Sequence, residues 1–197
     1  MLGWMALTAV AMANDVPTVS GDLALQYGRN WGQHLNLAGI VGEVKINVLP
    51  ILAVGVRTGG QLGLGVSASE SSAEAKFFSN LPLALKAEGY LGTGKTRPYA
   101  GLAVGVSRAT GAGAFGSATT ASAYSVVGPM GTVMPELGID LGMFRVALQH
   151  SLLFGSASRI AESATAGGAS VSIDPKDAPS LSGTTLQLGI HFGGPRD

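Results

Sequence analysis

The feature that most constrains the fold is an alternating stretch at residues 81–108, LPLALKAEGYLGTGKTRPYAGLAVGVSR. One face of its first arm is apolar, with Leu83, Leu85, Ala87 and Leu91. The other face mixes charge, tyrosine and glycine, and the second arm repeats the pattern from residue 99 to residue 107. Successive side chains of a β-strand point to opposite faces, so this pattern predicts a hairpin of two strands with one apolar face.

The same period-two alternation recurs along the chain and predicts eight strands in all. Besides the two arms above, it covers residues 22–27, 38–48, 52–66, 136–141, 144–152 and 185–192. Short connections are predicted at 49–50, 92–97 and 142–143, and longer ones at 30–34, 67–80, 109–127 and 155–183. Gly142 suits the first central position of a two-residue hairpin turn. Short and long connections in alternation are typical of an up-and-down barrel in an outer membrane, with the longer segments expected to be solvated extracellular loops.

The composition favours a membrane environment for these strands. Hydrophobic residues make up 46% of the 197-residue chain and charged residues only 12%, against about 25% in soluble domains. The net charge is zero, which gives no electrostatic basis for binding nucleic acid. There is no cysteine, which excludes disulfides and thiolate ligands. Glycine is abundant, at 30 residues.

The N-terminal residues 1–13, MLGWMALTAVAMA, resemble the apolar core and small-residue cleavage site of a secretory signal, although a basic start is missing. This run is too short to span a membrane as a helix. We therefore expect a signal peptide, intact or truncated, at 1–13 and one domain at 14–197. An exported, charge-poor chain without a spanning helix predicts an all-β, eight-stranded antiparallel up-and-down transmembrane β-barrel.

The distribution of charge predicts which face of the barrel meets lipid. No charged residue lies on the leucine and valine face of any predicted strand, whereas the opposite face also includes Asp22. A lysine or arginine facing lipid at mid-membrane costs about 2–4 kcal/mol, so four such bases would cancel a typical folding free energy of about 5–15 kcal/mol. The charged face is therefore expected to line the lumen, as an ion-pair network of Glu43, Lys45, Arg57, Lys86, Glu88, Glu136, Asp140 and Arg145. A soluble lipocalin-like barrel would have the reverse polarity.

Eight strands enclose a lumen that side chains can fill. The nearly balanced charges can pair, and inward glycines such as Gly101 and Gly138 leave room for the long side chains. A closed, ion-paired lumen is therefore expected. A narrow ion path remains the alternative.

Two motifs suggest nucleotide chemistry. Residues 89–96, GYLGTGKT, match the phosphate-loop pattern, and residues 111–116 match G-x-G-x-x-G. Both sites require a helix immediately afterwards, whereas an alternating strand follows the first motif and a Ser- and Ala-rich stretch the second. We interpret the first as a polar turn, with Lys95 and Arg97 in water, and the second as a loop. The three histidines are scattered, so neither a metal site nor any cofactor is predicted.

Three segments resemble small bacterial outer-membrane β-barrel proteins of the OmpA, OmpX and OmpW type: PLALKAEGYLGTGKTRPYAGLAVGV, MPELGIDLGMFRVALQHSL and TTLQLGIHF. The resemblance implies outer-membrane lipid and the barrel-assembly machinery as partners, with both termini periplasmic; it leaves any extracellular partner unknown. In that family the last strand carries an assembly signal, which Gln187, Gly189 and Phe192 match. The tail at 193–197 departs from the pattern, because the aromatic residue is usually terminal or nearly so.

The resemblance implies a structural or surface role rather than catalysis. Some barrels of this size are lipid A deacylases that use histidine and serine, and His150 and Ser151 are adjacent here. Adjacent residues of a strand face opposite ways, so they cannot form a dyad on a regular strand. A membrane-embedded lipid-modifying enzyme remains the alternative.

Overall fold

The computed structural model describes residues 18–30, 34–69, 72–117, 120–155, 158–165, 168–173 and 182–193. The expected signal at 1–13 lies outside these residues. The strands are β1 Thr18–Asn30, β2 Leu35–Leu49, β3 Leu52–Ala68, β4 Ser72–Tyr90, β5 Thr96–Ser117, β6 Thr120–Leu141, β7 Phe144–Phe154, β8 Ser158–Thr165, β9 Gly168–Ile173 and β10 Gly183–Gly193. No helix in this part of the chain is long and apolar enough to cross a membrane.

Eight of these strands close into a ring, in the order β1, β2, β3, β4, β5, β6, β7 and β10. Every neighbouring pair is antiparallel, and β10 closes the ring by pairing with both β1 and β7. Leu25, for example, lies opposite Leu188 on one side and Ile40 on the other. The predicted eight-stranded up-and-down barrel is confirmed.

The short connections lie at one edge of the barrel, which we call the turn end. They are residues 50–51, 91–95 and 142–143, as the sequence predicts within a residue or two. Gly142 has a φ of 65°, which a glycine adopts without steric cost and which a two-residue hairpin turn requires. The start of β1 and the end of β10 both lie at this edge, since Ser20 pairs with Gly193.

At the opposite edge, the hairpin end, the connection predicted at 30–34 lies between the end of β1 at Asn30 and the start of β2 at Leu35, but the other three predicted loops are wrong. Residues 67–80 belong mostly to β3 and β4, and residues 109–127 to β5 and β6, with strand pairing up to Gly116 and Ala121. Residues 155–183 contain the β8–β9 hairpin, which pairs with the outer part of β6 beyond the end of β7. The G-x-G-x-x-G match at 111–116, interpreted as a loop, is likewise part of β5.

The physical reason is compositional. Alternation is visible only where the two faces of a strand differ in polarity, and residues 109–127 carry mostly glycine, alanine, serine and threonine on both faces. Backbone N–H and C=O groups still need partners, and pairing between strands supplies them whatever the side chains are.

The two faces of the barrel wall differ sharply in exposure. On β4, the Leu85 side chain is 71% exposed, whereas its neighbour Lys86 is 3% exposed. The same parity holds on the other ring strands: leucine and valine cover most of the outside, and most charged and amide side chains are buried inside, although Arg29 and Arg108 are exposed on the outward face. The expectation that the charged face lines the lumen is therefore correct.

Candidate functional site

The lumen is the candidate site, because most of the charge of the ring strands converges there. Among the described residues, five buried carboxylates face five buried cations. They are Asp22, Glu43, Glu88, Glu136 and Asp140, and Lys45, Arg57, Lys86, Arg97 and Arg145. Strands β1 to β7 each contribute at least one of them. The charges balance, so the lumen interior is neutral overall.

Arg145 on β7 is the centre of the half of this network nearest the turn end. Its Nη1 lies 2.7 Å from Asp22 Oδ2 and 2.8 Å from Glu88 Oε1. Its Nε lies 2.7 Å from Asp140 Oδ1. The guanidinium also stacks over the Tyr99 ring, 4.2 Å from the ring centroid. One cation therefore links β7 to β1, β4, β5 and β6, reaching across the lumen to the opposite wall.

A second group of contacts surrounds Glu136 on β6. Lys86 Nζ lies 2.8 Å from Glu136 Oε1 and 2.7 Å from Glu43 Oε1. Arg57 Nη1 bonds to Glu136 and lies 2.8 Å from Glu43 Oε1. The Tyr99 hydroxyl donates a hydrogen bond of 2.6 Å to Glu136 Oε1. Lys86 and Glu88, which share the lumen face of β4, thus pair with strands across the barrel as well as with each other.

Lys45 and Tyr90 belong to the Arg145 group, which the pair of Lys86 Nζ and Glu88 Oε1, 2.8 Å apart, connects to the Glu136 group. Lys45 Nζ lies 2.6 Å from Glu88 Oε2 and is also paired with Asp22. The Tyr90 hydroxyl donates a 2.5 Å hydrogen bond to the same Glu88 oxygen. All eight side chains of the predicted lumen network are therefore joined in one set of ion pairs.

Two inward glycines make room for this packing. A Cβ added at Gly138 would lie 2.5 Å from atoms of the Tyr99 ring, and one added at Gly55 would lie 2.7 Å from Lys45 Cγ. Both distances are shorter than side chains tolerate, so any larger residue there would displace the network.

Several members of the network were not predicted as part of it. Arg97, which we expected in water beside Lys95, is buried and lies 3.2 Å from Asp140, with its guanidinium over the Tyr90 ring. His191 Nδ1 lies 2.6 Å from Asp22 Oδ1. Arg97 shares the odd-numbered lumen parity of Tyr99, and that signal could have identified it.

Toward the hairpin end the lumen filling changes from charged to apolar. The apolar cluster consists of Leu35, Leu37, Phe78, Ala109 and Met130, with Leu153 packed against it. Polar side chains lie between it and the ion pairs, including Gln149, which accepts hydrogen bonds from Arg57 and Gln187.

Three carboxylates within the network have atoms within 4.8 Å of one another, a spacing that could suit a metal ion: Asp22, Glu43 and Glu88. Each of them is already ion-paired with Lys45 and Arg145. Their negative charge is therefore balanced within the protein, and we assign no metal to them.

The other motifs singled out from the sequence lie apart from the network. Lys95 is exposed and Thr96 begins β5, so the helix N-terminus that a phosphate loop requires is not formed there. Ser151 is buried and bonds to Gln149, whereas His150 bonds to Thr184 at 2.8 Å and is half-buried. In the matched assembly signal Gln187 points inward and Phe192 outward.

Comparison with known proteins identifies the fold. No family model and no curated protein sequence matches the chain. A major outer membrane protein from Thermus thermophilus is similar in structure, with 13% identity over 88% of this chain and 99% of that one and a TM-score of 0.52. The N-terminal β-barrel domain of Pseudomonas aeruginosa OprF also matches, at 12% identity, 88% and 97% coverage and a TM-score of 0.40. So does Ail, the attachment invasion locus protein of Yersinia pestis, at 13% identity, 89% and 97% coverage and a TM-score of 0.35.

Proposed function

We propose that this chain, which has the fold of bacterial outer-membrane β-barrels, is an integral outer-membrane protein with a closed lumen and a structural or surface-interaction role. The observation that carries the proposal is the polarity of the wall. An apolar exterior with a buried, ion-paired interior is the reverse of a soluble barrel, which would have charge outside.

The dimensions of the apolar exterior support membrane insertion. On β4 and the first residue after it, the outward residues run from Leu81 to Leu91 without a charge. About ten residues at roughly 3.4 Å each, tilted by about 45°, span roughly 24 Å, close to the roughly 25 Å apolar band of such barrels. Outward aromatic side chains flank this band near both edges: Phe144 and Phe192 at the turn end, and Tyr27, Phe77 and Phe154 toward the hairpin end.

The connections support an orientation with both termini and the short turns in the periplasm. The extended β3–β4, β5–β6 and β8–β9 hairpins would then project from the cell surface. Protease treatment of intact cells tests this arrangement. We expect cleavage within residues 110–125 and protection of residues 91–95; cleavage only after the cells are opened would reverse the orientation.

The test of membrane residence is heat-modifiable migration after membrane fractionation. We expect the chain in the outer-membrane fraction, running as a compact band in unheated detergent and as a slower band after boiling. A chain that stays in the soluble fraction and shows no such shift would overturn the proposal.

The closed lumen distinguishes this proposal from a narrow channel. Ion pairs cross the lumen at the turn end, and the apolar cluster occupies it toward the hairpin end. Open aqueous pores are a property of barrels of about 16 strands. We expect no stable unitary conductance in planar bilayers, and a reproducible conductance step would favour the channel instead.

The enzyme alternative has little support at the pair that suggested it. Because Ser151 faces the lumen and His150 the other side of the wall, the two do not form a dyad. We expect no release of fatty acid when the purified barrel is incubated with lipid A. Release above a boiled control would establish the enzyme.

Assembly through the barrel-assembly machinery is the remaining part of the proposal. Phe192 is 56% exposed on the last strand, where an incoming partner can reach it. We expect Phe192→Ala to lower the amount of heat-modifiable barrel in the outer membrane. A normal amount of heat-modifiable barrel would show that Phe192 is not part of the assembly signal.

A further inference from the structure

The ring closes where its first strand meets its last, and we call this contact between β1 and β10 the seam. The other neighbouring ring strands follow one another in the chain, apart from β7 and β10, which the β8–β9 hairpin separates. Residues paired across the seam are far apart in the sequence: Asp22 and His191 are 169 positions apart. No connecting turn fixes the register of these two strands, so side-chain contacts across the seam have to specify it.

On the outer face of the seam, near the turn end, the Phe192 ring lies over Gly21, the residue directly opposite it. A Cβ added at Gly21 would lie 2.7 Å from Phe192 Cζ, closer than side chains tolerate, and 3.2 Å from the backbone oxygen of Glu43. Gly21 is buried, although Val19 and Leu23 on the same face of β1 are exposed. The ring therefore occupies the space that a side chain at position 21 would fill.

Outward glycines on other ring strands have no such neighbour. A Cβ at Gly42 on β2 or at Gly131 on β6 would lie 3.7 Å or more from other atoms, which is ordinary contact. One at Gly89 on β4 would have nothing within 4 Å. The lack of a side chain at Gly21 is therefore matched to the ring on the opposite strand, whereas these three positions have room for a methyl group.

The inner face of the seam has a specific contact at the next pair along the strands. His191 Nδ1 lies 2.6 Å from Asp22 Oδ1, and these two residues lie directly opposite each other. The Gly21–Phe192 pair and the Asp22–His191 pair are thus adjacent in the seam and lie on opposite faces of the wall. Both contacts form in one register of β1 against β10.

Other registers would break both contacts. A slip of one residue would exchange the two faces of the strand, which places the charged side chains toward lipid. A slip of two residues would keep the faces but put Phe192 opposite Val19 or Leu23, whose own side chains occupy the space that the ring fills over glycine. The same slip would separate Asp22 from His191. The outer pair therefore discriminates between registers that hydrophobic alternation treats as equal.

We propose that Gly21 and Phe192 form a latch that fixes the register in which the first and last strands close the barrel. An aromatic side chain packed over a glycine of the neighbouring strand is a device that pins strand register. The inference deepens the assembly part of the proposed function and rests on it, because it gives Phe192 a task separate from recognition by the machinery. The ring covers Gly21 once the barrel has closed, whatever brought the last strand into place.

The first experiment measures closure without any assembly machinery. The full chain is refolded from urea into detergent micelles, and the heat-modifiable band gives the equilibrium constant for folding. Alanine is more favourable than glycine within a strand, so Gly89→Ala should fold at least as well as wild type. Gly21→Ala should instead lower the equilibrium constant by at least roughly fivefold, because its methyl group overpacks a filled space. Equal behaviour of the two variants would show that the ring simply rotates away, and would overturn the latch.

The second experiment asks whether the ring causes the loss. Residues in contact are coupled, so in a Phe192→Ala background the change Gly21→Ala should no longer lower the equilibrium constant. A loss that persists unchanged in that background would belong to β1 alone and overturn the latch. Phe192→Ala by itself should also weaken folding in micelles. Folding like wild type there, together with a reduced amount in cells, would restrict Phe192 to recognition by the machinery.

The third experiment measures the register directly, with introduced cysteine pairs oxidised by copper phenanthroline. Leu23→Cys with Ile190→Cys joins residues that lie opposite each other in the structure. Leu23→Cys with Leu188→Cys joins residues that would lie opposite after a slip of two. We expect the ratio of slipped to native cross-link to rise by at least roughly fivefold when Gly21→Ala is added, and to stay unchanged with Gly89→Ala. An unchanged ratio with Gly21→Ala would remove the register role.

The outcomes separate the latch from the proposed function. A wild-type chain that forms heat-modifiable barrel, with a Gly21→Ala variant that folds and cross-links like it, overturns the latch and leaves the membrane barrel intact. A wild-type chain that gives no heat-modifiable barrel in micelles overturns both.

Discussion

The lumen is filled in two different ways along its length. Toward the turn end, Arg145, Lys86 and Glu136 connect the walls through ion pairs. Toward the hairpin end, Leu37 and Phe78 fill the same space by apolar packing. An ion pair requires particular partners at particular positions, whereas apolar packing requires mainly volume. The turn-end half therefore specifies which strands face each other, and the hairpin-end half closes the lumen without that specificity.

The difference predicts unequal costs of substitution, and the largest is expected at the centre of the charged half. Arg145→Met leaves Asp22, Glu88 and Asp140 without their shared cation. Breaking a buried ion pair costs about 3–5 kcal/mol. We expect the free energy of unfolding to fall by an amount in that range. The measurement is urea unfolding in micelles, with the heat-modifiable band as the readout. Lys95→Met is the matched control, at an exposed site where changes stay within about 0.5 kcal/mol. Equal urea midpoints for the two variants would show that Arg145 is not the centre of the ion-pair network.

The apolar half should respond differently. Leu37→Ala leaves a cavity beside Phe78, and such changes cost about 2–5 kcal/mol. We expect the lower half of that range, about 2–3 kcal/mol, because no charge is left unpaired. A cost that exceeds that of Arg145→Met would reverse the ranking of the two halves.

The specificity of the charged half can be measured as a coupling energy. Arg57→Met and Glu136→Gln each remove one side of a pair that bridges β3 and β6. Contacting residues show coupling of about 0.5–3 kcal/mol, so the double variant should lose less stability than the sum of the single losses. A strictly additive result would mean that Arg57 and Glu136 act independently.

The smallest effect is expected at the mouth of the lumen. Arg97 is the outermost cation of the network, and its contact with Asp140 is 3.2 Å. We expect Arg97→Gln to cost about 1 kcal/mol, since Asp140 keeps its ion pair with Arg145. A loss as large as that of Arg145→Met would show that Asp140 depends on Arg97 as much as on Arg145.

Much of the barrel was predictable from the sequence because the two faces of the wall have opposite chemistry. Wherever leucine or valine alternated with charge, as at Leu85 and Lys86, the strand and the direction of its side chains were both predicted correctly. Prediction failed where that contrast disappears. The outer parts of β5 and β6 carry small residues on both faces, so pairing between strands there leaves no periodic signal.

The ion-pair partners within the lumen could not be predicted from the sequence. Parity indicates that Arg57 points inward, but which carboxylate it meets depends on which strands lie opposite across the barrel. That depends on register and closure, which eight short patterns do not determine.

The most direct test of the account is an accessibility scan along β4. The chain has no cysteine, so single cysteines can be introduced and spin-labelled without first removing a native cysteine. In lipid vesicles we expect high accessibility to oxygen and low accessibility to a water-soluble nickel complex at Leu83, Leu85 and Ala87, with both low at Ala84. Access of the nickel complex to Leu85 equal to that at Lys95 would place the leucine face in water and contradict the account.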